Sequence, residues 1–174
     1  SNPGGICEYQ NLADSLNVTR QTISNYISYL QEAFLIKLTT HYTGSYLTGT
    51  RKAKKSYLSD HGIITAMKGM EIPDEQTMGR IVENIVVNHL EAKYFLRLGN
   101  EEIDVMLKKN NETIPIEVKY KNKIREKDLK TMKKAIKRND VIRGIVVSKD
   151  LFDLKRKDKI MIIPLWLFLL VDIN

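Results

Sequence analysis

Tyr94-Phe-Leu-Arg-Leu-Gly-Asn-Glu-Glu-Ile-Asp-Val-Met-Leu-Lys-Lys-Asn-Asn-Glu-Thr-Ile-Pro-Ile-Glu-Val-Lys-Tyr120 is the stretch on which the fold turns. Three runs rich in β-branched and aromatic residues, Tyr94–Leu98, Glu102–Leu107 and Thr113–Tyr120, are punctuated by Gly99-Asn100 and by Lys108–Asn111. That alternation and turn chemistry predicts a meander of three short strands. In the third run Ile114, Ile116, Val118 and Tyr120 alternate with Pro115, Glu117, Lys119 and Lys121. A period of two therefore projects Glu117 and Lys119 from the same face. The preceding run carries a lone acid, Asp104, between Ile103 and Val105, and antiparallel pairing brings it toward Glu117. Two adjacent carboxylates repel, and a hard divalent cation with oxygen ligands, Mg²⁺ or Mn²⁺, relieves the repulsion. Lys119 beside such an ion is placed to orient an attacking water and to steady charge on a phosphodiester.

Before this stretch, Met78, Ile81, Val82, Ile85, Val86 and Leu90 recur at intervals of three and four, predicting a long buried helix from Thr77 to about Lys93. Asp74 is its expected N-cap. After it, a basic helix is expected over Glu126–Arg138, then a strand at Gly144–Ser148 whose continuous Ile-Val-Val suits burial on both faces. A strand at Ile160–Ile163 and a helix after Pro164 close the chain. The order α-β-β-β-α-β makes this a mixed-sheet α/β unit, and the whole chain α+β.

The first forty residues predict two tightly joined helices. Tyr9, Leu12, Ala13 and Leu16 stripe the first, Asn17 ends it, and Thr19 caps a second whose Ile23, Tyr26, Ile27 and Leu30 share a face. Arg20, Gln21, Ser24, Asn25 and Ser28 then point outward, the spacing of a helix-turn-helix whose polar face, Arg20 and Gln21 foremost, suits a major groove. Strands at Phe34–Thr40 and Ser56–Leu58, joined through a turn at His41–Ser45, would add the wing of a winged helix, with Arg51–Lys55 as its basic cluster. The Gly/Pro/acid-rich segment Lys68–Glu75 separates the two parts, giving domains at 1–73 and 74–174.

The 174 residues carry 28 Lys+Arg against 21 Asp+Glu, a net charge of +7. Residues 1–78 are neutral overall, so the excess lies in the second part, concentrated in Lys119–Arg138 with ten basic and two acidic side chains. Lys121, Lys123, Lys130, Lys133, Lys134 and Lys137 could draw nucleic-acid phosphate through counterion release; a solvated helix face is the bland alternative. The one cysteine, Cys7, makes no internal disulfide, so a reducing cytoplasm is expected. Ile160–Val171, interrupted by Pro164, is too short for a membrane span of roughly 18 residues. None of the three histidines pairs at metal-ligand spacing.

Glu83 in the helix, Asp104, and Glu117-Val118-Lys119 resemble the E…D…E-x-K signature of the restriction-endonuclease-like PD-(D/E)XK nuclease superfamily. Lys54-Lys-Ser-Tyr-Leu-Ser-Asp-His-Gly-Ile, Gly79-Arg-Ile-Val-Glu-Asn, Glu102-Ile-Asp-Val-Met-Leu and Ile116-Glu-Val-Lys further resemble the carboxy-terminal part of prokaryotic AAA-type ATPases of uncharacterised function. The resemblance implies a winged helix followed by a nuclease-like domain, with Asp104 and Glu117 as metal ligands, Lys119 orienting water and Glu83 an outer ligand through water. It also implies that ATP is bound only by a preceding P-loop domain: Gly44-Ser-Tyr-Leu-Thr-Gly-Thr-Arg51 has glycine spacing but no lysine, and reads as a wing turn. The absence of an initiator Met fits a fragment. The expected partners are nucleic acid and the chain's own ATPase domain, with no membrane; a homo-oligomer is left open. Two functions stand: a nucleic-acid-binding, Mg²⁺- or Mn²⁺-dependent phosphodiesterase, or a non-catalytic DNA- or protein-binding regulatory module of the ATPase.

Overall fold

The structure, a computed structural model, describes residues 4–43, 54–67, 72–109, 112–139, 141, 143–155 and 158–171. Among them are two mixed five-stranded sheets and six α-helices. The expected turn at 44–45, the glycine-spaced 44–51 segment and the basic positions 51 and 52 lie outside the described residues.

The N-terminal elements obey their local signals closely. A short strand β1 (Ile6–Cys7) leads to helix α1 (Tyr9–Leu16), and Asn17 ends it with φ of 52°, a left-handed conformation that asparagine tolerates. Thr19 caps α2 (Arg20–Glu32) by accepting from the Thr22 N–H at 3.0 Å. One expectation about α2 is corrected. Ile23 is buried, but Tyr26 is 59% exposed and packs edge-on against the equally exposed Tyr29 rather than into a core. Strand β2 (Ile36–His41) starts two residues later than expected, because Phe34 takes φ of 56° and stands outside any strand. Its partner β3 (Lys54–Leu58) begins two residues earlier than expected and so includes Lys55. A short helix α3 (Gly62–Met67) follows β3.

Helix α4 (Glu75–His89) is capped by Asp74, whose Oδ1 accepts from the Thr77 N–H at 2.6 Å. It stops at His89 rather than continuing to Lys93, and Glu91 reverses the chain with φ of 46°. The expected meander divides between two sheets. Strand β4 (Tyr94–Leu98) turns at Gly99 into β5 (Glu101–Ile103), and the chain bends at Asp104 before β6 (Val105–Lys109) pairs with β7 (Glu112–Lys119). A single run in the sequence is thus two strands, and Asp104 is the residue at which the chain passes from one sheet to the other. A 3₁₀ turn (Glu126–Leu129) opens the basic helix α5 (Lys130–Asn139). Strands β8 (Gly144–Ser148), β9 (Asp153–Lys155) and β10 (Ile160–Pro164) and helix α6 (Leu165–Leu170) come next.

The first sheet runs β1-β3-β2-β4-β5, antiparallel except where β2 meets β4. It therefore draws strands from both sides of the Lys68–Glu75 segment. The second runs β6-β7-β8-β10-β9, with parallel pairs β7/β8 and β8/β10 at its centre. Both faces of those central strands are covered, as parallel pairing requires. Val82, Val86 and Val87 of α4 pack with Ile116, Val147 and Phe168 on one side, and Leu129, Met132 and Ala135 pack with Met106, Val146 and Ile162 on the other. Gly144 lets the Met132 thioether rest against the β8 backbone, where a Cβ would clash. No helix among the described residues is long and apolar enough to cross a membrane.

Candidate functional site

The acidic residues singled out in sequence converge at the bend between the sheets. Asp104 sits at that bend with its side chain 13% exposed, and its Oδ2 accepts from the Val118 N–H at 2.8 Å. This bond draws the carboxylate against the middle of Glu117-Val118-Lys119. Glu117, almost fully buried, forms an ion pair with Lys119 through Oε1, as their shared face on β7 dictates. Its other oxygen, Oε2, is buried without a hydrogen-bond partner among the described residues. Buried carboxylate oxygens rarely stay unsatisfied, so Oε2 retains the capacity to accept a hydrogen bond or a cation.

Glu83 reaches the same region from α4, but its neighbours come from the N-terminal segment. Lys55 of β3 donates to Glu83 Oε1 at 2.8 Å and to Glu102 Oε1 at 2.9 Å, and stands 4.0 Å from Asp104 Oδ1. Its side chain is 1% exposed. Tyr57, two residues on and hence on the same face of β3, donates its phenol to the same Glu83 oxygen at 2.8 Å. Gly4, held in place by its N–H to the Ser56 carbonyl at 2.8 Å, closes over this group. With φ of 76° it keeps a glycine conformation, and a Cβ there would lie 3.0 Å from Glu83 Oε1. Asn84 secures the arrangement by accepting from the Leu58 N–H at 2.9 Å and donating to the Leu58 carbonyl at 2.8 Å, so β3 is pinned to α4.

The electrostatics arise from burial and crowding. Burial pushes the Asp104 carboxyl well above its ordinary range, the charges of Glu83 and Glu117 add to this, and Lys55 and the Val118 N–H oppose it. Burial also raises Glu117, against the charge and hydrogen bond of Lys119. For Lys55, burial alone would favour the neutral amine, but Glu83, Asp104 and Glu102 together carry it above the usual lysine range. Lys119 is raised in the same way: burial works against it, and Glu117 wins.

Asp104, Glu117, Lys119 and Glu83 are thus brought together. Lys55, Tyr57 and Glu102 join them. Lys55 corrects the sequence expectation most sharply, since it reads there as part of the basic cluster of a wing and is instead the most enclosed cation of the site. Its period-two relation to Tyr57 puts both on one face of β3 but does not report the distant carboxylates that enclose it. Among the described residues, no three His, Cys, Asp or Glu side chains stand ready to hold one metal ion; Asp104 and Glu117 form a pair, while Glu83 is engaged by Lys55 and Tyr57.

The nucleic-acid candidates are dispersed. Lys134 pairs with Glu101 at 2.7 Å and Lys130 lies 4.0 Å from it, Lys133 bridges Glu126 and Asp158, and Lys121 pairs with Asp128 at 2.6 Å. Lys123 and Lys137 are exposed and have no ion pair among the described residues. Arg20 and Gln21 lie on the exposed start of α2, where Gln21 donates to Asn25 at 2.9 Å, and neither belongs to the acidic group.

Residues 78–168, just over half the chain, match the family described as Domain of unknown function (DUF4143), and residues 1–74 match a second, Domain of unknown function (DUF8612). Over 148 residues the chain is 28% identical to Uncharacterized protein MJ1544 of Methanocaldococcus jannaschii, an alignment spanning 79% of this chain and 32% of that protein. This chain therefore corresponds to about a third of that relative's length. No solved structure matches.

Proposed function

As this chain belongs to the DUF4143 family, for which no activity is described, we propose from its own side chains that it is a nucleic-acid-binding, nuclease-like module performing divalent-metal-dependent phosphodiester hydrolysis. In this reading residues 1–73 act as a winged helix and 74–174 as a restriction-endonuclease-like domain. Both form the carboxy-terminal part of a cytoplasmic AAA-type ATPase, whose nucleotide site lies in another segment. The two-helix unit α1–α2 followed by the β2/β3 pair supports the first assignment. Helix α4, the β6-β7-β8-β10 sheet and the acidic group at the Asp104 bend support the second.

The observation that carries the reading is the convergence of Asp104 and Glu117 with Lys119 at one point, with Glu117 Oε2 buried and unpartnered among the described residues. The donor set is all oxygen and offers two carboxylates, which fits Mg²⁺ or Mn²⁺ with retained waters. Asp104 and Glu117 would hold the ion, and Glu83, whose Oε1 is already taken, would act outside that pair through water. When bound, such an ion neutralises the crowded carboxylates and polarises a phosphoryl oxygen. Lys119 orients the attacking water and stabilises charge at the phosphate, and exposed lysines beyond it, Lys123 and Lys137, attract the backbone.

Wild type and Lys119→Ala incubated with plasmid and linear DNA and with RNA, in Mn²⁺ or Mg²⁺, test this directly. Wild type is expected to cleave, and the variant to lose on the order of 10²-fold in rate. Equal residual activity in the two would remove Lys119 and the assignment with it. A second reading, a non-catalytic module that binds nucleic acid or protein and regulates the ATPase, is favoured by the Lys55 ammonium, which gives the acidic group a positive charge of the chain's own. It is chosen if nucleic acid binds and neither protein cleaves.

A further inference from the structure

Lys55 is a cation at the heart of the site to which the nuclease-like arrangement gives no role. It comes from the N-terminal segment, is buried to 1% exposure, and points its ammonium among Glu83, Glu102 and Asp104 at 2.8, 2.9 and 4.0 Å. The rings of Tyr57 and Phe95 flank it at 5.7 and 5.8 Å from their centroids. Asp104 is the shared member. One of its oxygens faces the lysine, the other is held by the Val118 N–H beside Glu117. A divalent ion on the Asp104–Glu117 pair would lie close to a fixed positive charge in a poorly solvated place, where like charges interact strongly.

We infer that Lys55 is a resident cation that competes with a divalent ion for Asp104, so that the N-terminal strand sets the ion affinity of the site. Because such coupling is reciprocal, ion binding also loosens Lys55 from its carboxylates. The inference rests on the reading of Asp104 and Glu117 as the ion-holding pair, and extends it to how that pair is regulated.

Isothermal titration of this chain with Mn²⁺ alone, without nucleic acid, tests it. Lys55→Met is expected to bind Mn²⁺ about tenfold or more tightly than wild type. Lys55→Arg, which keeps the charge, should stay near wild type. An unchanged or weaker affinity in Lys55→Met, an Arg variant that behaves like the Met variant, or no Mn²⁺ binding by any of the three, overturns the inference. Should Lys55→Met fail to fold, amine-selective labelling of wild type read by mass spectrometry decides. Lys55 is expected to be protected without metal and to become labelled as Mn²⁺ is raised to tens of millimolar, and unchanged protection refutes competition. The outcomes separate the two proposals. A tighter Mn²⁺ site in Lys55→Met with no cleavage by wild type keeps the competition and removes the catalysis, whereas cleavage by wild type with no change on Lys55→Met does the reverse.

Discussion

Asp104 is costly to the fold at neutral pH. Its carboxyl is raised by burial and by Glu83 and Glu117, so the folded protein holds that proton more tightly than the unfolded chain, where the ordinary pKa is about 3.9. A raised carboxyl contributes stability below its unfolded pKa, and that contribution is lost as pH rises through the folded value. Asp104→Asn keeps an oxygen for the Val118 N–H while removing the charge. We expect it to be more stable than wild type at neutral pH by on the order of 1 kcal/mol or more. The gain should shrink toward zero near pH about 4, where the wild-type carboxyl is itself protonated. Urea denaturation at the two pH values measures this, and a less stable variant at neutral pH would contradict it. In the sequence Asp104 already stands out as an acid between Ile103 and Val105, and Glu117 and Lys119 share a face by strand period alone. Lys55 does not stand out in that way. Its burial depends on carboxylates 28 and 47 residues further along, which no local pattern reports.

At the scale of elements, helix α5 shows how far charge counting goes. Ten basic residues in Lys119–Arg138 suggest a continuous phosphate-attracting face, yet Lys121, Lys130, Lys133 and Lys134 lie with acids from Glu101, Glu126, Asp128 and Asp158. Exposed pairs of this kind add little to stability but lessen what each lysine offers a phosphate. Nucleic-acid affinity measured by fluorescence anisotropy across a salt series should therefore depend most on Lys123, Lys127 and Lys137, which are exposed and have no ion pair among the described residues. Changing all three to Ala is expected to flatten the slope of log affinity against log salt by about 0.9 for each duplex-DNA phosphate left without its lysine. Changing Lys130, Lys133 and Lys134 should flatten it less, and the opposite ranking would place the interface on the paired face. Helix boundaries were legible where a capping side chain marks them, at Thr19 and Asp74. Helix α3 was not, because its six residues are too few to show a periodicity.

Over the whole molecule, one sheet joins the N-terminal segment to the elements after Glu75. Strand β2 pairs with β4, β3 is pinned to α4 by Asn84, and the Asn88 amide donates to the same Leu58 carbonyl at 2.7 Å. Unfolding is accordingly expected to be a single cooperative transition. Asn84→Ala should lower stability by about 1–3 kcal/mol for each buried backbone group left unpaired. Calorimetry of wild type and variant checks both points, and two resolved transitions in wild type would show that the segments hold independently. Most helices, most strands and the pairing of Glu117 with Lys119 are written into the order of residues alone, because periodicity, caps and turns act over a few positions. Folding in three dimensions was needed to reveal that the chain changes sheets at Asp104, that the basic helix engages much of its charge with neighbouring acids, and that Lys55 lies among Glu83, Glu102 and Asp104. Those outcomes depend on which distant groups must share a buried space and neutralise one another there, and that is set by packing rather than by any local run of residues.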